Sequence, residues 1–307
     1  GEGNRIIIES TGSFIGGGRC NIIVDDSDYS TILGGRIHVI CNSKCSTIGG
    51  GFYANIVNSN FGTIAGGCQK STGITDSVAG TIIGGCNNTI LNSNAAVVGG
   101  GYSNIISSSV CSAVLGGFDN SIADSGQSLI GGGTINCVYL SDCANVVGGN
   151  DNKIMTSSHA SSIVGGGRNC ISCSSGSFIG GGTSNDIQGE GQTCYSSIVG
   201  GFDNIIQDGY SFIGGGSYNH ILGNLDDNFI GGGSTNNLLR VKYSNIVGGY
   251  RNCISGSTIT NQSRFSSILG GCSNLICGNI TYSHILGVRT NLISTGSQAT
   301  AVMVYST

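Results

Sequence analysis

Apolar residues in this chain come in adjacent pairs set directly before glycines: Ile82 and Ile83, Val97 and Val98, Phe178 and Ile179, Ile268 and Leu269. Seventeen such copies run from Phe14 to Ile285, the last degenerate, and most neighbours lie 15, 17 or 18 residues apart. Two or three residues after the glycine pair there is usually an Asn, then one variable position, then Ile, Val or Leu. The Asn series is Asn21, Asn55, Asn88, Asn104, Asn120, Asn136, Asn152, Asn169, Asn185, Asn204, Asn219, Asn252, Asn274 and Asn291. A fixed period of this kind has to be recognised before single elements are assigned, because it decides the architecture.

Two short β-branched segments per unit, punctuated by Gly and Asn, predict two strands per coil with turns between them. No unit holds a 3.6-residue periodicity or an unbroken helical length. The unit is too short for a three-sided coil and lacks a six-residue aliphatic period. The expected fold is all-β, a parallel β-solenoid with about two short strands in each coil of 15–18 residues. Residues 1–12 read as a lead-in strand, 13–293 as the solenoid and 294–307 as an end segment.

Glycine inside a regular element costs roughly 0.5–1 kcal/mol relative to Ala, so its recurrence needs a structural return. Stacking at ~4.8 Å supplies one, with glycine at tight turns or close backbone approaches; seventeen coils would then span roughly 80 Å. The turn glycines expected on this basis include Gly16, Gly17, Gly49, Gly50, Gly165, Gly166, Gly180, Gly181, Gly214 and Gly215. The Asn series is expected to form a stacked amide ladder. Adjacent residues of a strand face opposite sides, so one of each apolar pair points into the coil and the other outward. An outward apolar ladder of that length is not stable in water. It is expected to be buried between chains, in a parallel homotrimer.

The units "SSIVGGGRNCIS" and "SFIGGGSYNHILG" resemble the head repeats of trimeric autotransporter adhesins of the YadA type, and similar repeats of phage and large-virus tail fibres. The resemblance covers about Ser13 to Ile293. It implies a left-handed β-roll, intertwined or side by side as a homotrimer, and a non-enzymatic fibre or adhesin on a virion or cell surface that presents or mediates host attachment. The end "ATAVMVYST" resembles the junction at which fibre proteins release an endosialidase-type intramolecular chaperone, which implies a mature carboxyl terminus at Thr307.

Composition removes several other classes. With 56 Gly, no Pro and only 9% charged residues, the chain is neither collagen-like nor of disordered composition. A net charge of −4 with scattered basic residues offers no footprint for nucleic acid. No apolar run approaches the ~20 residues of a membrane span, and the amino terminus reads as neither signal nor transit peptide. The 14 Cys, often in place of Ser, Ala or Val, read as small apolar fillers of a protein folded in a reducing compartment such as a host cytoplasm.

Candidate chemistry is sparse. Cys170–Cys173 has zinc-like spacing but no second pair, and no GK[ST] follows any glycine run. His38, His159, His220 and His284 occupy variable slots. The acids at Asp25 to Asp28 and at Asp226 and Asp227 do not recur at a fixed offset. Sequons stand at Asn87, Asn261 and Asn279. No catalytic residue, metal or cofactor is expected. Receptor recognition, of a glycan or a protein, is assigned to the longest tips, around Thr183 to Ser196 and Ser255 to Ser266, or to an end of the rod. Three alternatives stand beside the fibre: a tailspike-like polysaccharide depolymerase, which needs a carboxylate pair; a structural filament; and an ice-binding array built on Thr31, Thr47, Thr63 and Thr81.

Overall fold

The computed structural model describes residues 1–7, 9–68, 72–223, 225–257, 263–278, 280–287, 289–295 and 303–304. Contacts divide the chain into two compact units, Gly1–Asp151 and Asn152–Thr307. Each is a parallel β-solenoid, and no helix occurs among the described residues. In the first unit, one sheet stacks Ile22–Val24 on Val39–Cys41 and continues through Ile105–Ser107 to Cys137–Tyr139. The other stacks Phe14–Ile15 on Thr31–Ile32 and continues through Thr81–Ile82 to Asn145–Val146. The second unit repeats the arrangement, from Cys170–Ser175 to Leu292–Thr295 and from Ser162–Ile163 to Met303–Val304. Pairing begins in the lead-in stretch, where Arg5 lies beside Ile22.

One coil explains the strand lengths. Asn104, Ile106, Ser109, Ser112 and Val114 are all buried, while the residues between them face outward. Inward positions alternate within each two- or three-residue strand and slip to a spacing of three at the corner. A backbone can slip that way only by entering the left-handed region, and it does so at non-glycine residues: the coil turns at Ser103, Ser108 and Cys111, each with φ between 50° and 56°. This coil interior therefore holds two aliphatic side chains, one Asn and two small polar residues, and other coils place His38, Ala54 or Thr72 in the Asn slot and Ala96 or Ala144 in a small polar one. Ile82, Ile90, Ile106 and Ile122 are fully buried, so the aliphatic columns form a narrow core.

The polar slots are satisfied by stacking. Asn120 Oδ1 accepts the backbone N–H of Asn136 at 3.0 Å, and its Nδ2 donates to the carbonyls of Gly116 and Gly133, both at 3.0 Å. The Ser109 hydroxyl accepts the N–H of Ser125 at 3.0 Å and donates to Ser107 O at 2.7 Å. Ser112 Oγ accepts from Ser128 N–H and donates to Ser125 O. Three columns of side chains thus carry hydrogen bonds where the strands end; among the described residues the buried side-chain atoms without a partner are His38 Nε2, Asp186 Oδ1, His220 Nε2 and Ser283 Oγ.

The Asn ladder stands as expected at thirteen of its fourteen predicted positions, from Asn21 to Asn291. Asn55 is the correction. The slot belongs to Ala54, which is 1% exposed, and Asn55 faces outward one residue later. Its doublet with Ile56 mimics the motif, but the core aliphatic must lie two residues after the ladder position. Asn236, in the doublet Asn236–Asn237, is a further member: it donates to Gly232 O and Gly249 O. His38 also stands in the ladder. Its Nδ1 accepts the N–H of Ala54 at 3.1 Å.

The glycine expectation divides. The left-handed turn falls on the glycine three residues before the ladder Asn, as at Gly101 and Gly166, with φ of 86° and 84°. A Cβ on Gly101 would stand 2.1 Å from Gly117 O. Gly16, Gly49, Gly180 and Gly214 instead permit a close approach, since a Cβ there would meet the next coil's carbonyl oxygen at 2.3–2.6 Å. Gly17, Gly50 and Gly165 are neither crowded nor left-handed, which corrects their assignment as obligatory turns. Gly181 and Gly215 have φ of 156° and 148° and open surroundings.

The cysteine expectation is also corrected. None of the 14 lies in the buried core, because Ile, Val, Asn and Ser fill the inward slots. Cys68 and Cys86, on neighbouring coils with Cα atoms 5.1 Å apart, are joined in a disulfide, and the other twelve, which form no disulfide, stand at exposed or half-buried sites.

Three outcomes test this stacking. Asn120→Ala removes the acceptor of the Asn136 N–H and the donor to Gly116 O, while Gly133 O keeps the N–H of Phe118, and is expected to cost about 2–3 kcal/mol in urea unfolding, whereas Asn55→Ala should stay within about 0.5 kcal/mol. Gly101→Ala should destabilise strongly while Gly100→Ala, which meets nothing within 4 Å, should not. Burial lowers the pKa of His38 from its ordinary 6.5, and only the neutral ring can accept from Ala54. Its contribution is complete above pH 6.5 and is lost as pH falls from there through the lowered folded value. His38→Asn should remove that part of the acid sensitivity, leaving the part due to His220, whose pKa burial also lowers.

Candidate interaction surface

The outward face of the second sheet carries the apolar pattern read from the sequence. Within the pairs, one residue is buried and the other faces out: Ile82 is 0% and Ile83 57% exposed, and Ile268 and Leu269 divide the same way. The register is not constant, however. In Val97–Val98 and Phe178–Ile179 the second residue is buried. Two outward rows therefore flank the buried column, one preceding it and one following it.

These rows are complementary. Where the following position is Leu33, Ile83, Leu115, Val147, Val199 or Val247, the preceding one is Thr31, Thr81, Ala113, Asn145, Ser197 or Asn245. Where the following position is Gly16, Gly99, Gly131, Gly180, Gly214 or Gly231, the preceding one is Phe14, Val97, Leu129, Phe178, Phe212 or Phe229. Thr47 beside Gly49 departs from the rule. At all six glycines a Cβ would meet the next coil's carbonyl oxygen at 2.3–2.6 Å, and on Gly16, Gly180, Gly214 or Gly231 it would also meet Cε1 of the Phe two residues earlier at 3.2–3.4 Å. Each ring leans into the space its glycine vacates. Phe212 and Phe229 stack on neighbouring coils with centroids 5.4 Å apart and planes 5° apart.

The result, in each unit, is a stripe with about one apolar group per coil. Leu33, Ile83, Leu115 and Val147 are each more than half exposed in the first unit, and Val199, Val247 and Leu269 about half exposed in the second. Surface apolar residues are normal singly, and their regular column makes this face the candidate interaction surface. Sequence reading found the apolar pairs but not the complementarity, because both kinds of coil look alike until the buried residue is fixed.

The predicted tips separate. Thr183 to Ser196 contains the strand Asp186–Cys194, which pairs with Cys170–Ser175 and shifts register between Ser172 and Ser174, so the extra residues form a bulge. In the second tip, residues 258–262 lie outside the described residues, as do Asn261, Asn279 and Thr307. Thr31, Thr47, Thr63 and Thr81 do stack in register, and the row then passes to Val97.

Titratable groups are few. His284 Nδ1 bonds Ser267 Oγ at 2.6 Å. Asp28 receives the N–H of Thr11 at 2.8 Å and pairs with Lys44 at 3.3 Å. Asn87 bonds Ser103 Oγ. Burial raises the pKa of Asp186, the Gln188 amide opposes it, and Asp203 adds to it. Burial and neighbouring Cys277 push the Cys253 thiol up to about 11, which makes it a poor nucleophile at neutral pH. No group of three His, Cys, Asp or Glu suited to a metal occurs among the described residues, Cys170 and Cys173 included. No helix is long and apolar enough to cross a membrane among them.

No protein-family model matches the chain, and no curated protein matches it, so the functional reading rests on the coil and on the apolar stripe it carries.

Proposed function

We propose that the chain is a non-enzymatic structural element of a homotrimeric fibre, presented on a virion or cell surface and serving host attachment. The observation that carries this reading is the complementary apolar stripe. A surface without a partner has no reason to exchange Phe-x-Gly for Ser-x-Val from coil to coil while keeping an apolar side chain on the same face. Three copies placed side by side around that face would bury a continuous seam, and the opposite sheet, whose outward positions mix apolar and polar residues, and the tips would remain open to a receptor glycan or protein. Nearly all inward polar chemistry is committed to stacking, which suits a load-bearing role.

A depolymerase is the second reading, favoured by one observation. Asp186 is held toward its protonated form by burial and by the nearby Asp203, as an acid in a carboxylate pair would be. Incubation with capsular or cell-wall polysaccharides separates the two: reducing ends released by the intact chain and lost in Asp186→Asn would establish the enzyme.

The fibre reading predicts a native mass three times that of the chain in light scattering. Leu115→Asp combined with Val147→Asp should give folded monomers, with unchanged far-ultraviolet circular dichroism. A native monomer for the unsubstituted chain would overturn the trimer.

A further inference from the structure

At the corner that follows each strand of the first sheet, the outward left-handed residue varies from coil to coil: Asp124 and Leu140 in the first unit, for example. In the second unit three successive coils place Gly223, Arg240 and Gly256 in this row. Arg240 N–H donates to Leu222 O at 2.8 Å and Gly256 N–H to Leu239 O at 2.9 Å, so the three stand directly above one another. Gly223 has φ of 138°, and a Cβ there would lie 2.7 Å from Arg240 N and 3.2 Å from Arg240 Cγ. A guanidinium between two glycines has no side chain beside it in its own row.

The missing side chains leave a groove of about 340 Å³, within the size of small-ligand sites. Its walls are Gln207, Leu222, Leu239 and Ser255 together with the Gly–Arg–Gly corner. No carboxylate lines it among the described residues. Arg240 is exposed and makes no ion pair among the described residues; the nearest strand cation, Lys242, is engaged with Asp226 at 3.9 Å. The groove thus offers one planar cation, two half-buried leucines, the Ser255 hydroxyl and the side-chain amide of Gln207, whose Nε2 also makes a long bond of 3.5 Å to Gln188 Oε1.

That combination defines a ligand. An unpaired guanidinium holds a carboxylate through two parallel N–H···O bonds, a fit that a spherical anion does not use as fully. A single cation without a nest of backbone N–H groups is a poor phosphate site. The leucines match the C–H face of a pyranose, and the amide and hydroxyl match its ring hydroxyls. We propose that the Arg240 groove binds the carboxylate-bearing sugar unit of an acidic saccharide. The site belongs to one chain and stands independently of trimer formation; in a fibre it would be the receptor contact.

Titration of the isotope-labelled full chain by amide NMR tests this, with glucuronate as the probe and glucose and inorganic phosphate as comparisons. Glucuronate is expected to move the amides of Leu239, Arg240 and Gly256 saturably, and at least about tenfold more tightly than either comparison. Arg240→Gln should weaken it by about tenfold or more, Arg240→Lys by a similar amount because the fork is lost, and Gln207→Leu by less. The proposal is overturned if glucuronate gives no saturable shifts, if folded Arg240→Gln binds it unchanged, if phosphate binds as well, which marks a plain anion site, or if glucose does, which marks a neutral-sugar site. A monomer that binds glucuronate would remove the fibre and keep this site, whereas a trimer that fails to bind would do the reverse.

Discussion

Everything in this protein depends on one constraint: each backbone amide must find its partner in the coil above or below. Parallel strands two or three residues long cannot supply enough bonds alone, because most of each coil lies in corners. The Asn and Ser columns extend the ladder around those corners. Asn120 reaches the N–H of the next ladder residue and two glycine carbonyls at once, and Ser109 binds a carbonyl of its own coil while accepting from the next. The aliphatic columns supply the hydrophobic term, but register is set by the amides. A coil displaced by one residue would bring Ile outward and leave these donors buried and unpaired.

The second consequence of the constraint is local conformation. A coil that closes in about sixteen residues must turn sharply several times, and here it uses the left-handed region at ordinary residues as well as at glycine. Tyr53, Asn58 and Phe61 in one coil and Tyr243 in another all have φ between 50° and 59°. Single residues in this region carry a real cost, tolerated because the stack above and below over-determines the corner. Aromatic residues at the last corner recover part of it by stacking, as Tyr243, Phe265 and Tyr282 do at 5.0 and 5.1 Å.

Much of the architecture was legible in the sequence because repetition amplifies weak signals. The two strands per coil, the Asn ladder and the inward–outward division of the apolar pair all follow from residues such as Asn104 and Ile82. What was not legible has physical causes. Asn55 and Ala54 differ by one position that only the buried Ile56 can decide. The Ser109 column was hidden because Ser is abundant at outward sites too. Three consecutive glycines do different work, and in Phe14–Gly18 only the first and last are constrained: one gives way to the ring of Phe14, the other turns the chain. The corner of Arg240 could not be seen at all, since three residues separated by sixteen or seventeen positions become neighbours only through stacking.

The complementary exchange between Phe-x-Gly and Ser-x-Val coils bears on how such a chain can change. Because each coil satisfies its neighbours through the same set of bonds, a gene segment encoding one whole coil can be duplicated or lost without leaving an unmatched seam in the interior. Both outward types present an apolar side chain to the same face, so either can stand in the stripe. Length becomes a heritable variable separable from stability, while a corner such as Gly223–Arg240–Gly256 can be carried intact from one position along the repeat to another.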